Sequence, residues 1–88
     1  MVRRQVFFFG RVQGVGFRYT VCSISSHFDV RGFVRNRPDG SVELVIEGES
    51  KELERFLQSI RDRLEGFIER EEATESSANG EFDRFRIR

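Results

Sequence analysis

The stretch "VRGFVRNRPDGSVELVIE" (residues 30–47) decides the fold, because it predicts two strands joined by a tight turn. In the turn "RPDG", Pro38 presets its own backbone angle and Gly40 tolerates a positive φ. Residues 41–47 then alternate, as successive side chains of a strand point to opposite faces. One face carries Val42, Leu44 and Ile46, and the other carries Glu43, Val45 and Glu47. Residues 30–37 and 41–47 are therefore predicted to form a β-hairpin.

A strand and a helix are predicted ahead of this hairpin. Residues 5–10 are apolar and aromatic on both faces, which is typical of a central strand. Residues 19–28 follow a glycine-bearing loop, and their apolar side chains recur at helical spacing. The residues with that spacing are Val21, Ile24 and Phe28.

A second helix and two polar strands are predicted after the hairpin. Ser50 is the expected N-cap of the helix and Gly66 its expected stop. The apolar stripe of this helix consists of Leu53, Phe56, Leu57, Ile60 and Leu64. Residues 67–74 predict a polar strand, "ESSANG" (residues 75–80) a loop, and residues 82–87 a short closing strand.

The order of these elements predicts an α+β protein of βαββαβ type. Each helix has one apolar face, and both faces need a partner to cover them. The simplest arrangement is a ferredoxin-like sandwich, in which an antiparallel sheet carries both helices on one side. With no linker or internal repeat in 88 residues, we expect a single domain over residues 1–88.

The composition disfavours several classes of function. The chain has 15 basic and 15 acidic residues, whereas proteins that wrap nucleic acid are usually strongly basic. No apolar stretch is long enough to span a membrane, so we expect no membrane partner. Cys22 is the only cysteine, which suits a reducing cytoplasm as the location. Because His27 is the only histidine, we also expect no metal site.

The loop between the first strand and the first helix predicts an anion site. It lies in "RVQGVGFRYT" (residues 11–20), where Gly14 and Gly16 leave the backbone bare ahead of Arg18. The first amides of a helix have no partner of their own, and glycines let such amides turn toward a ligand. The guanidinium can grip two phosphate oxygens. From the residues alone, an ordinary turn with a surface arginine remains open.

Asn36 stands near the predicted end of the second strand, although asparagine is disfavoured inside strands. One explanation is local, since asparagine often precedes a turn. The other is functional, because a carboxamide accepts a hydrogen bond with its oxygen while donating with its nitrogen. The residues alone leave both explanations open.

Three segments together resemble the acylphosphatase family: "GRVQGVGFR" (residues 10–18), "GFVRNRPDGSVE" (residues 32–43) and "FRIR" (residues 85–88). The resemblance spans nearly the whole chain and keeps the order of its elements. It implies a small ferredoxin-like enzyme that hydrolyses the carboxyl–phosphate bond of acyl phosphates. Neither a metal nor an organic cofactor is implied, the implied partner is a small acyl phosphate, and a monomer is expected.

The same resemblance assigns roles to individual residues. Arg18 matches the phosphate-binding arginine, and Asn36 matches the asparagine that positions the attacking water. The cradle that holds the phosphate matches Gln13, Gly14, Val15, Gly16, Phe17 and Arg18. Phe33 departs from the family pattern, since tryptophan is frequent there, and so do three serines of the first helix. Those serines, which replace small apolar residues, are Ser23, Ser25 and Ser26.

Two other functions are compatible with parts of the pattern. Acylphosphatase-like domains also occur inside larger carbamoyl-transfer maturation proteins, so a phosphate-binding domain without turnover is one alternative. RNA-recognition modules share the element order, and "RGFV" (residues 31–34) resembles the start of their signature. That match fails at Arg35 and Asn36, where apolar and aromatic residues are needed, and the formal net charge of zero weakens it further.

Overall fold

The computed structural model describes all residues from Met1 to Arg88. Its seven elements follow the order β-α-β-β-α-β-β. The strands are β1 (Val2–Gly10), β2 (Arg31–Asn36), β3 (Val42–Gly48), β4 (Ile68–Ser77) and β5 (Phe85–Ile87). The helices are α1 (Phe17–Ser25) and α2 (Ser50–Leu64). Neither helix has the length and apolar character that crossing a membrane requires.

The five strands form one sheet in the order β4-β1-β3-β2-β5. The pairs β4–β1, β1–β3 and β3–β2 are antiparallel, as the sequence predicts. Strand β5 instead runs parallel to β2, so the sheet is mixed and the expectation of a wholly antiparallel sheet is wrong at this edge. The predicted ferredoxin-like α+β class is confirmed, and β1 lies inside the sheet as expected.

The helix bounds differ from the predicted ones for local reasons. Helix α1 begins at Phe17, earlier than residue 19, because Gly16 in a left-handed conformation serves as its N-cap. It ends at Ser25 rather than residue 28, because the next three amides donate to carbonyls only three residues back, as in a 3₁₀ turn. At α2 the N-cap is Glu49, so Ser50 is the first helical residue and the prediction that Ser50 caps the helix is wrong.

The two strands near the end of the chain also correct the sequence prediction. Strand β4 continues to Ser77, which pairs with Val2, so the first half of residues 75–80 is strand rather than loop. The partner strand β1 supplies hydrogen bonds that favour an extended backbone despite polar side chains. Strand β5 is shorter than predicted, since Phe82 lies outside it and packs edge-on against Phe33 at 5.9 Å between ring centroids.

Both helices pack on one face of the sheet and enclose the core. The predicted apolar stripe of α2 is buried in full. The inner face of β1 supplies Val6 and Phe8, and that of β3 supplies its three predicted apolar residues, all with no exposed surface. At the centre, Phe56 packs against Phe28 at 5.7 Å and against Phe85 at 5.8 Å between ring centroids.

The other face of the sheet is covered by arginine side chains stacked on phenylalanine rings. The guanidinium carbon lies 4.6 Å from the ring centroid in the pair Arg37–Phe7 and 4.0 Å in the pairs Arg70–Phe9 and Arg88–Phe33. Two buried carboxylates, Glu43 and Glu47, lie among these rings and form ion pairs with Arg35 and Arg3. This polar layer explains how a sheet with helices on one side keeps its aromatic residues from water.

The strand directions bring two distant segments to one edge of the sheet. Strands β1 and β2 are both antiparallel to β3, which lies between them, so they run in the same direction. Phe8 and Asn36 each pair with Val42, on opposite sides of β3. The loop that follows β1 and the carboxyl end of β2 therefore lie at the same edge.

Candidate active site

The loop between β1 and α1 has two residues in the left-handed region of the backbone map. Gly14 has φ 78° and Gly16 has φ 75°. A Cβ atom added at either position would meet nothing within 4 Å. Glycine is therefore required here by the backbone angle and not by lack of space. The two positive φ angles explain why the sequence carries a glycine on each side of Val15.

The amide groups of this loop are unused within the protein. No main-chain N–H from Gln13 to Tyr19 donates a hydrogen bond, and the first bond of α1 runs from Thr20 N to Gly16 O at 3.0 Å. These amides stand at the positive end of a nine-residue helix. Free amides at a helix N-terminus that follows two glycines are of the kind that binds tetrahedral anions in proteins.

Arg18 in the first turn of α1 is held beside these amides. Its Nη1 donates a hydrogen bond to the main-chain oxygen of Arg88 at 2.9 Å, and the amide of Arg88 in turn donates to Val34 O at 2.9 Å. Arg18 forms no ion pair with any carboxylate. Its remaining N–H groups are available to a ligand, and its charge is not neutralised by the protein.

Asn36 is the last residue of β2, and its side chain is exposed. The carboxamide makes no hydrogen bond within the protein, so both its donor and its acceptor are free to bind water. The structure brings Asn36 and Arg18 to one cavity of about 210 Å³. The cavity is lined by Val12, Gly14, Gly16, Phe17, Arg18, Tyr19 and Asn36.

Two of the predicted cradle residues do not line this cavity. Val15 packs against the core, and the side chain of Gln13 turns away to the hairpin between β2 and β3. Their free main-chain amides still belong to the loop. The resemblance assigns these residues to a cradle of main-chain groups, so the directions of their side chains do not test that assignment and it stays a prediction.

Three groups that form or support the cavity were not singled out from the sequence. Val12 forms part of the cavity wall, and Tyr19, although 72% exposed, lines the cavity too. The main-chain oxygen of Arg88 orients Arg18. A backbone oxygen leaves no signal in an amino-acid sequence, whereas the tyrosine directly after the arginine is a signal that could have been used.

The only histidine and the only cysteine of the chain lie outside this cavity. His27 borders a wider groove of about 540 Å³ between the ends of the helices, together with Asp62 and Arg63. This groove has the larger volume, but it lacks a row of free amides. Cys22 is a free cysteine within α1. No three side chains of the types that bind metals cluster anywhere in the chain.

The fold and the cavity together define a class: a small α+β protein with two helices on a ferredoxin-like sheet and a cavity beside unused loop amides at one edge. The comparison with known families specifies it further. The chain belongs to the acylphosphatase family, whose model matches residues 4–87. It is accordingly a hydrolase that acts on acyl phosphates.

Individual relatives agree with this assignment. The chain is 40% identical over 88 residues to an acylphosphatase of Syntrophus aciditrophicus, an alignment that covers 99% of this chain and 92% of the relative. The crystal structure of acylphosphatase from Bacillus subtilis matches with a TM-score of 0.89 and 32% identity, over 100% of this chain and 99% of that one. HypF from T. kodakarensis matches with a TM-score of 0.84 and 30% identity, over 100% of this chain but only 12% of that chain.

Proposed function

We propose that residues 13–18 hold the phosphate of an acyl phosphate, and that Asn36 positions the water that hydrolyses it. The single observation that supports this proposal is the shared cavity, where unused amides, the unpaired guanidinium of Arg18 and the free carboxamide of Asn36 meet. The products are a carboxylate and inorganic phosphate. The roles of the individual residues follow from the chemistry of the bond.

An acyl phosphate is a mixed anhydride with a good leaving group, so strong acid catalysis is not needed. The oxygen of the water forms a bond to phosphorus while the bond from phosphorus to the carboxylate oxygen breaks on the opposite side. One proton of the water passes to a phosphate oxygen of the substrate, so no protein base is required. What remains for the protein is positioning and charge stabilisation, which dominate phosphoryl transfer.

Arg18 and the loop amides supply that charge stabilisation. Their hydrogen bonds to the equatorial oxygens of the phosphoryl group are preorganised, since the loop angles and the bond to Arg88 exist before substrate arrives. Because these groups neutralise the phosphate, we propose a reaction without a metal or an organic cofactor.

A binding domain without turnover is the second candidate, because the same fold also occurs as one segment of a longer protein, HypF. In that protein the matching region is 12% of a much longer chain. Such a domain would hold phosphate in the same loop but would not hydrolyse acyl phosphates. We further propose a location in the cytoplasm, which the single cysteine supports, and a monomeric state, which is the usual one for so small an enzyme.

The test is hydrolysis of benzoyl phosphate by the wild type, Arg18→Ala and Asn36→Ala, each with and without EDTA. We expect turnover by the wild type that EDTA leaves unchanged, and strong losses in both variants. Absence of wild-type turnover despite phosphate binding would select the binding domain. Activity that EDTA abolishes would refute the metal-free route.

A further inference from the structure

Gln13 links the phosphate loop to the hairpin between β2 and β3. Its side-chain nitrogen Nε2 donates to two main-chain oxygens, Arg37 O at 2.8 Å and Ser41 O at 2.9 Å. A primary amide nitrogen has two N–H groups, so both of its donors are used in this link. The contact joins segments separated by 24 and 28 residues in sequence.

The two acceptor oxygens belong to the closed end of the hairpin. The amide of Arg37 donates to Ser41 O at 2.9 Å, and the amide of Gly40 donates to Arg37 O at 3.1 Å. The turn is thus closed by its own main-chain hydrogen bonds. Asn36 directly precedes it, so an anchor on the Arg37 carbonyl is also an anchor for Asn36.

We propose that Gln13 is a positioning residue that sets the location of Asn36, and hence of the attacking water, relative to the bound phosphate. This inference rests on the proposed function. The phosphate is held by the loop to which Gln13 belongs, while the water is held by the hairpin to which Gln13 is bonded. A loose link between the two would misalign the water without emptying the phosphate site. In enzymes, a misplacement of about 1 Å costs on the order of a hundredfold in rate.

The decisive variants are Gln13→Glu and Gln13→Met. Glutamate keeps the shape of the glutamine side chain but places a carboxylate, which only accepts hydrogen bonds, against the two carbonyl oxygens. Methionine keeps the length of the side chain but cannot donate a hydrogen bond to either oxygen. We expect kcat for benzoyl phosphate to fall between about 10- and 100-fold, with the inhibition constant of inorganic phosphate changed less than about twofold. Gln58→Met is the matched control, because Gln58 also donates from Nε2, at 2.9 Å to Asp62, but on α2.

A double-mutant cycle with Asn36→Ala distinguishes positioning from general damage. If Gln13 acts through Asn36, adding Gln13→Met to Asn36→Ala lowers kcat no further. Equal fractional losses in both backgrounds would overturn the proposal. So would a rise in the phosphate inhibition constant that matches the loss in kcat, since Gln13 would then shape the loop itself.

The cycle also separates this inference from the function on which it rests. If Asn36→Ala alone keeps the wild-type kcat, then the water-positioning role of Asn36 fails, and the role of Gln13 falls with it. If Asn36→Ala is impaired and Gln13→Met is not, only the inference about Gln13 fails. Thermal unfolding of each variant identifies any that do not fold. If one of the two Gln13 variants does not fold, the other is used in its place.

Discussion

The guanidinium of Arg18 donates a hydrogen bond from Nη1 to the main-chain oxygen of Arg88, at 2.9 Å. The bond connects the first turn of α1 with the residue after β5, which is itself bonded to β2 through Val34. The arginine is thereby fixed beside the loop amides by the edge of the sheet. A group fixed in advance stabilises developing charge without reorganisation during the reaction.

Replacing Arg18 tests this arrangement directly. We expect Arg18→Ala to lower kcat/KM by about a thousandfold, the scale seen when a key charge-stabilising group is lost. Arg18→Lys keeps the positive charge but lacks the planar guanidinium that can donate to two phosphate oxygens at once, so it should retain only part of the activity. Steady-state kinetics with benzoyl phosphate measures both effects. Arg63→Ala, at an exposed position on α2, is the control, and an Arg18→Ala enzyme that keeps most of its activity would contradict the role.

The left-handed backbone at Gly16 gives a second prediction. We expect Gly16→Val to lower the free energy of unfolding by about 1–2 kcal/mol, the cost of a side chain in that region. Gly16→Asn should cost less, because asparagine tolerates it better. Urea denaturation gives the comparison. Gly66→Val is the matched control, since a Cβ there also meets nothing within 4 Å but its φ is not positive. Equal costs at both positions would rule out backbone strain as the cause.

Glu47 makes stability depend on pH. Its carboxylate is 4% exposed, and it accepts hydrogen bonds from Arg3 Nε at 2.8 Å and from the amides of Asn79 and Gly80 at 3.2 and 3.1 Å. Burial raises the pKa of Glu47, but the bond from Arg3 and the two amides outweigh burial, so the pKa lies below its ordinary value. A lowered pKa contributes stability that is present above the ordinary value and is lost as pH falls through the folded value.

We therefore expect the wild type to lose more stability than Glu47→Gln when the pH falls from 7 to below about 4.3, the ordinary pKa of glutamate. At pH 7 the variant should be the less stable protein, because a neutral amide places a donor toward Arg3 and two N–H groups. Urea unfolding at both pH values measures the difference. Glu69→Gln, which removes an exposed carboxylate without an ion pair, is the control variant at both pH values.

The centre of the core gives a fourth prediction. Phe56 has no exposed surface and packs against two further rings. We expect Phe56→Ala to cost about 3–5 kcal/mol, a large share of the stability of a small domain. Tyr19→Ala, at a site that is 72% exposed, should cost under about 0.5 kcal/mol. Comparable losses of melting temperature in the two variants would contradict the assigned core.

The hairpin, the stripe of α2 and the glycine loop could be predicted from sequence because each is a local pattern. Residues 75–77 could not, since a polar segment becomes strand only when β1 offers it a partner. The parallel direction of β5 could not be predicted from the sequence either. It depends on the path of the chain across the sheet face, where Phe82 packs on Phe33.

The candidate site likewise combines features that could be predicted from the sequence with features that could not. The free amides and the place of Arg18 follow from a strand, two glycines and a helix in succession. That Asn36 lies beside them depends on two strands running the same way across β3. The direction of the Gln13 side chain depends on carbonyl oxygens 24 and 28 residues away. Such contacts are tertiary and have no counterpart in the spacing of residues.

The place of β3 between β1 and β2 has a consequence for how the protein acquires its activity. Strands β1 and β2 cannot bring their halves of the cavity together until β3 has been inserted between them, so a sheet that lacks β3 has no complete site. During refolding from urea, turnover should therefore return no earlier than the pairing of β3 with both of its neighbours. The return of enzymatic activity would then report when these three strands have paired.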